Sequence, residues 1–398
     1  MVEQFVTLAS LTVDGKGSYG IGASAVPFSK DLYTYLRITD IKDDGTLNLQ
    51  NLKSVDDEKA AEYLLKPNDI VFARTGASTG RNYFYDGMDG EFVYAGFLIK
   101  FSLDEKKVNP KYIKYFCQSK QYKDWINSFN TGSTRGNINA QTFGKMLVPL
   151  IERKRQDVLV DILSSIDEKI KKNSEINNNL EQQAEAIFQS ILSNAITTVN
   201  LGEIADVKGG KRLPKGVNLI DIPNAHPYIR VRDLNNALFA SLTPNYAYVD
   251  KETQKSISRY IVSTGDVLIS IVGTIGLTAI VDSTLDKANL TENCVKVTNL
   301  KHITPEYLLL YLRSQFGREA IAKGTVGAVQ QKLPIKNIQA IPIPLLSEKD
   351  KNALFCTLDS IFAGISNNVI QSAKLASLRD TLLPRLMSGE LDVSYIDL

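Results

Sequence analysis

The sequence predicts an α+β protein in which two similar globular domains alternate with two long helices, the helices pairing as an antiparallel intramolecular coiled coil. Three observations predict it. The chain repeats itself with a period near 195 residues, a length at which a missed repeat would misassign the whole fold. In each repeat, short glycine-punctuated segments give way to a long stretch almost free of Gly and Pro. Both such stretches carry an apolar stripe with seven-residue spacing.

The landmarks of the repeat recur in order. Tyr35-Leu-Arg-Ile-Thr-Asp40 is echoed by Tyr228-Ile-Arg-Val-Arg-Asp233, each a strand-like run ending in a turn-forming acid. Lys66-Pro-Asn-Asp-Ile-Val-Phe72, followed by Gly76 and Gly80, matches Ser263-Thr-Gly-Asp-Val-Leu-Ile269, followed by Gly273 and Gly276; both read as turn, strand and glycine-rich loop. Asn109-Pro110 and Thr304-Pro305 each open a helical stretch, a capping residue before proline at the first helical position. Each half then carries a Gly/Ser/Thr loop, Gly132 to Gly136 and Gly324 to Gly327, ahead of a Pro-containing apolar exit at Val148-Pro149 and Ile341-Pro-Ile-Pro344.

Beyond each exit the pattern becomes that of a long helix. Leu159, Ile166, Asn173, Leu180 and Ile187 fall seven apart, as do Leu354, Ile361, Asn368, Leu375 and Leu382. Leu163, Ile170 and Ile191 match Leu358, Ile365 and Leu386 and widen the stripe to a face that pairs helices. A helix of about 40 residues is about 60 Å long at 1.5 Å per residue, long enough to space two domains. Asn173 and Asn368 stand at the midpoints, where Asn in a heptad core sacrifices stability and fixes register. Antiparallel packing puts the two at one level, with their amides expected to hydrogen-bond to each other. The expected division is therefore residues 1–150 and 196–346 as globular domains, 151–195 as the first helical spacer, and 347–398 as the second spacer with a tail.

Composition excludes several function classes. Lys and Arg total 46 against 44 Asp and Glu, a net charge of +2, so any nucleic-acid surface is a local patch. Cys117, Cys294 and Cys356 are far apart and without CxxC spacing, which disfavours a disulfide framework and a zinc site and fits a reducing cytoplasm. The first residues lack a signal-peptide layout and no apolar run reaches the roughly 20 residues of a membrane span, so no membrane association is expected. Gly15 to Gly20 formally fits GxGxxG with Asp40 about twenty residues on, but Pro27 leaves no room for the helix a dinucleotide site requires. Asn109-Pro-Lys-Tyr112 lacks the second proline of the adenine-methyltransferase motif and reads as a helix start. Asp89 with Glu105 and Lys107 has no counterpart in the second half as a nuclease core. There is no P-loop, and neither His226 nor His302 stands in a triad context. No catalytic or metal site is expected.

Two variable modules alternating with two similar helices resemble the DNA-specificity subunit of type I restriction-modification enzymes, the HsdS family. The likeness spans the chain and rests on Tyr19-Gly-Ile-Gly-Ala-Ser-Ala25 ahead of Tyr35 to Asp40, on Ile176-Asn-Asn-Asn-Leu-Glu-Gln-Gln-Ala-Glu-Ala-Ile-Phe188, and on Leu383-Pro-Arg-Leu-Met-Ser-Gly389. It implies that each module is a target recognition domain reading one half of a split site in double-stranded DNA. It also implies that the helices dock two adenine-N6 methyltransferase (HsdM-type) subunits, joined by restriction motor (HsdR-type) subunits. S-adenosylmethionine, ATP and Mg would then serve through those subunits, with none bound by this chain. The second module's loop, Gly324 to Lys332, looks little like the first's Asn137-Ile-Asn139, so base preference does not carry over. Rival readings are a stand-alone bipartite DNA-binding regulator and a helical protein adaptor.

DNA recognition needs cations for phosphates and forked or amide side chains for bases. Lys16, Arg81 and Lys145 in the first module and Lys208, Lys211, Arg212, Lys215 and Lys323 in the second suit phosphates. Arg74 and Arg135 suit guanine, and Asn137, Asn139, Gln330 and Gln331 suit adenine. Ser78, Thr79, Ser133 and Thr134 suit either, and Thr325 and Lys332 complete the second loop's set. A single surface Lys or Arg reads equally well as solvated charge; clustering in glycine-rich loops, where backbone approaches a phosphate closely, favours a shared role.

Overall fold

The computed structural model describes residues 4–129, 136–235, 237–243, 246–328 and 330–391. The chain forms two compact units, one of residues 1–170 with 373–398 and the other of residues 171–372. This partition cuts across the linear division into modules and spacers, because each long helix sends its two ends into different cores.

In the first unit, strands Ser18–Tyr19, Leu98–Ser102, Asp69–Ala73 and Asn82–Tyr85 form one sheet in that order; Ala25–Pro27, Lys53–Val55, Tyr33–Leu36 and Phe92–Tyr94 form another. Asp69–Ala73 is buried along its whole length, which a strand covered on both faces requires. The second unit repeats the plan: Asp206–Gly209, Cys294–Thr298, Val267–Ser270, Thr278–Val281 and Phe239–Ala240 in one sheet, Ala247–Tyr248, Pro227–Ile229 and Asn289–Leu290 in another. In both units a two-stranded ribbon ties entry to exit, Gln4–Thr7 against Leu147–Leu150 and Thr197–Asn200 against Pro342–Leu345.

The repeat extends to single hydrogen bonds. Asp40 takes the Arg37 amide (2.8 Å) and pairs bidentately with its guanidinium, as Asp233 does with Arg230. Asp69 accepts from the Lys66 amide beside Lys100 Nζ (3.2 Å), and Asp266 from the Ser263 amide beside Lys296 Nζ (3.3 Å). Asn109 and Thr304 cap their proline-started helices as expected. Tyr112 and Tyr307 donate their hydroxyls to the carbonyls of Pro149 and Pro344. A Cβ on Gly20 would lie 2.3 Å from the Tyr94 and Ala95 carbonyl oxygens, and one on Gly210 2.0 Å from that of Thr291, so both positions admit only glycine. Gly20 thus owes its place to a close backbone crossing; the segment Gly15 to Gly20 contains the strand Ser18–Tyr19 and opens no helix.

The helices run Arg153–Leu192 and Glu348–Met387, 40 residues each. In the first unit Leu159 and Leu163 share a core with Leu383 and Leu386; in the second Ala184 and Phe188 share one with Leu354, Leu358 and Phe362. Ascending positions on one helix meet descending ones on the other, which makes the pair antiparallel. The second helix is long and apolar enough by composition to cross a bilayer, contrary to the sequence expectation; its buried leucines belong to these two cores.

The side chains of the two midpoint Asn residues do not bond to each other; Asn173 Nδ2 reaches the Asn368 backbone carbonyl instead (3.5 Å). Asn173 is fully buried and its Nδ2 donates to Gln371 Oε1 (2.8 Å) and Ser372 Oγ (3.1 Å), while Asn368 Nδ2 donates to Asn177 Oδ1 (2.9 Å). Each Asn reaches one turn beyond its opposite number, so the two bonds exchange under the repeat. Among the described residues Asn173 Oδ1 is buried without a partner.

Candidate nucleic-acid interface

In the first module the buried strand Asp69–Ala73 delivers Arg74 to the start of a tight loop. Gly76 (φ 75°) and Gly80 (φ 86°) take left-handed conformations that side-chain-bearing residues resist, and Gly80 N–H closes the loop onto the Ala73 carbonyl (2.9 Å). Thr79 Oγ1 bonds to the carbonyls of Gly76 (2.8 Å) and Gly136 (2.9 Å), Ser78 is buried, and Arg81 binds Asp43 Oδ1 (2.6 Å) and the Ile41 carbonyl (3.2 Å). Two of the three, Thr79 and Arg81, have side chains bonded within the protein, so these residues brace the loop.

Arg74 is different. Its guanidinium lies over the Tyr19 ring, 5.0 Å from the centroid, and Nε and Nη2 both approach Asn137 Oδ1 at 3.4 Å. Its carbonyl accepts from Ile138 N–H (2.9 Å), which fixes the loop carrying Asn137 beside it. Asn139 caps the helix Ala140–Gly144 through Thr142 N–H, and Tyr19 Oη accepts from Ala140 N–H (3.1 Å). Lys145, at that helix's C-cap, and Lys16 are exposed. Ser133, Thr134 and Arg135 lie outside the described residues.

The second module keeps the frame and changes what it presents. Gly273 (φ 80°) and Gly276 (φ 87°) form the loop, braced by Ser270 Oγ on the Thr274 carbonyl (2.6 Å). Leu333 N–H bonds to the Ile271 carbonyl (3.0 Å), the counterpart of the Ile138 to Arg74 bond. Val326 and Lys332 exchange two backbone hydrogen bonds (2.9 Å each), closing a loop that exposes Gln330, Gln331 and Lys332. Thr325 Oγ1 is bonded to the Ile321 carbonyl, and Lys323 is exposed near the end of the helix Gln315–Gly324. In the other cationic segment Lys208 pairs with Asp206 (2.9 Å), Arg212 with Glu292 (2.8 Å), and Lys211 Nζ sits 5.5 Å from the Tyr260 ring centroid; Lys215 is exposed.

Sequence reasoning missed Tyr19, Tyr260, Asp43 and Glu292, the partners that hold these cations. Only Tyr19 carried a signal, standing before the close-packed Gly20. Burial pushes the Cys294 thiol up to about 12 and the Cys117 thiol well above its ordinary value, so neither is a ready nucleophile.

Two duplicated modules with glycine-framed, cation-bearing loops, carried on paired helices, define a bipartite recognition protein. Residues 29–182 and 195–374 match the family described as the type I restriction modification DNA specificity domain. The chain belongs to this family. The type I restriction enzyme MjaIX specificity subunit of Methanocaldococcus jannaschii is 21% identical, over 73% of this chain and 71% of its own length. The HindI specificity subunit of Haemophilus influenzae is 20% identical, over 83% of this chain and 88% of its own. The crystal structure of the type I restriction-modification S subunit from M. genitalium matches at a TM-score of 0.56 and 17% identity, covering 96% of this chain and 95% of that one, a likeness of fold. Membership makes the chain a DNA-recognition subunit of a restriction-modification system, with catalysis left to other subunits.

Proposed function

We propose that each module reads one half of a bipartite target in double-stranded DNA, that the paired helices dock two HsdM-type methyltransferase subunits, and that HsdR-type motor subunits complete the assembly in the cytoplasm. The observation that carries this reading is the pairing of one loop frame with two presentations: Gly76 and Gly80 beside Arg74 and Asn137, Gly273 and Gly276 beside Ile271 and Lys332. A duplicated frame with different side chains suits two different half-sites. S-adenosylmethionine, ATP and Mg act through the partner subunits, which flip and methylate the adenine. Lys16, Lys145, Lys215 and Lys323, exposed in the described structure, supply salt-dependent phosphate contacts.

The test is co-expression with the methyltransferase subunit followed by mapping of N6-methyladenine. A bipartite motif is expected, and exchanging residues 196–346 for those of a relative should change one half-site alone. Seven-residue insertions made in both helices should lengthen the unread spacer and leave both half-sites intact. A chain that yields no complex, or a motif unmoved by the exchange, would overturn the reading.

A further inference from the structure

We propose that Tyr19, Arg74 and Asn137 form a preassembled guanine-reading head in the first module, with Arg74 the specificity-determining residue and Tyr19 and Asn137 positioning it. The inference rests on the reading of the modules as half-site readers; it singles out Arg74 from the residues suited to guanine and adds what positions it.

Arg74 emerges from a fully buried strand, and its backbone is held on both sides, its N–H by the Phe97 carbonyl (3.1 Å) and its carbonyl by Ile138 N–H (2.9 Å). The guanidinium is then held by the Tyr19 ring against its face and by Asn137 Oδ1 at its Nε/Nη2 edge. Tyr19 is itself fixed: it pairs with Ile99 in the sheet, and its hydroxyl takes the Ala140 amide. Among the described residues no carboxylate pairs with Arg74, whereas Arg81, at the far end of the same loop, has Asp43. An arginine ordered before binding loses little freedom on contact, which favours a directional base contact over a diffuse phosphate contact.

The head presents donors. Asn137 gives its oxygen to Arg74, and neither its Nδ2 nor Arg74 Nη1 has a hydrogen-bond partner among the described residues. Guanine alone shows two acceptors, N7 and O6, on its major-groove edge; adenine offers one acceptor beside a donor and cytosine a donor. Strand pairing shows that the second module lacks the head. Tyr19 is opposite Ile99 one residue on from Ser18 opposite Lys100, and Gly209 is opposite Val295 one residue on from Lys208 opposite Lys296, so Gly209 replaces Tyr19. Ile271 and Lys332 replace Arg74 and Asn137.

The experiment uses the assembled methyltransferase complex and duplexes carrying each substitution at each position of the first half-site. For Arg74→Ala, discrimination at one G·C pair should fall roughly ten- to hundred-fold, with the second half-site and the salt dependence unchanged. Tyr19→Phe should keep that discrimination and Tyr19→Ala lose part of it, at a melting temperature like the parent's. Uniform weakening with a shallower salt slope would make Arg74 a phosphate contact and overturn the proposal. Loss of melting temperature in Tyr19→Ala without a change in selectivity would overturn the positioning role. A parent complex with no bipartite preference would instead remove the half-site reading itself.

Discussion

The two units share one backbone plan and anchor the long helices by opposite chemistry. In the first unit Asp167 binds Lys114 Nζ (2.9 Å), Tyr115 Oη (2.9 Å) and Arg379 Nη1 (3.0 Å), a half-buried ion cluster joining both long helices to the helix Pro110–Phe116. In the second unit the equivalent positions, 195 residues away, are Phe362, Leu309, Leu310 and Ala184, all buried in one apolar core. One geometry thus accepts either solution: in the cluster Coulomb attraction and multiple hydrogen bonds oppose desolvation, and in its counterpart apolar burial stabilises directly.

The largest expected effect comes from forcing one solution onto the other's site. Phe362→Asp should destabilise the second unit by about 4 kcal/mol or more, the sum of a lost large apolar side chain and an unpaired buried charge; calorimetry should show one transition lowered and the other kept. Where the halves agree, they should fail alike: Gly20→Ala and Gly210→Ala should each cost about 3 kcal/mol, since a Cβ collides with backbone carbonyls that cannot move aside.

Asp167→Asn should cost about 2 kcal/mol, less than a fully buried pair because the cluster is partly solvated. Replacing Asp167, Lys114, Tyr115 and Arg379 together by Phe, Leu, Leu and Ala should be neutral or stabilising. Acid titration sharpens the contrast. Burial alone would raise the Asp167 carboxyl, but Lys114 and Arg379 hold it below the ordinary 3.8. Its contribution is therefore complete above the unfolded value and lost as pH falls below about 4, so the parent should lose melting temperature there more steeply than Asp167→Asn.

The smallest effect lies between the midpoint asparagines, where the sequence suggests equivalence and a gain on replacing both by Leu. Asn173→Leu removes a buried acceptor without a partner and frees Gln371, which is exposed, and Ser372, which is half-buried, to bind water; it should stabilise by about 1 kcal/mol. Asn368→Leu strips the donor from Asn177 Oδ1 inside the interface and should destabilise by about as much. Equal shifts of one sign would show that the two bonds are interchangeable.

What the sequence determined by itself was the periodic and the local. Seven-residue spacing specified the helix pair, Asn109-Pro110 and Thr304-Pro305 their helix starts, and the glycine pairs their loops, because each depends on neighbours within a few turns. The tertiary structure decided which polar groups are engaged within the protein and which are free. Thr79 closes onto Gly136, Arg81 onto Asp43, and Arg74 meets Asn137 at a separation of 63 residues, while Tyr19 takes the amide of Ala140 from 121 residues away. Such pairings follow from how sheets cross and loops pack, so residues alike in sequence, Arg74 and Arg81, become a presented fork and a brace.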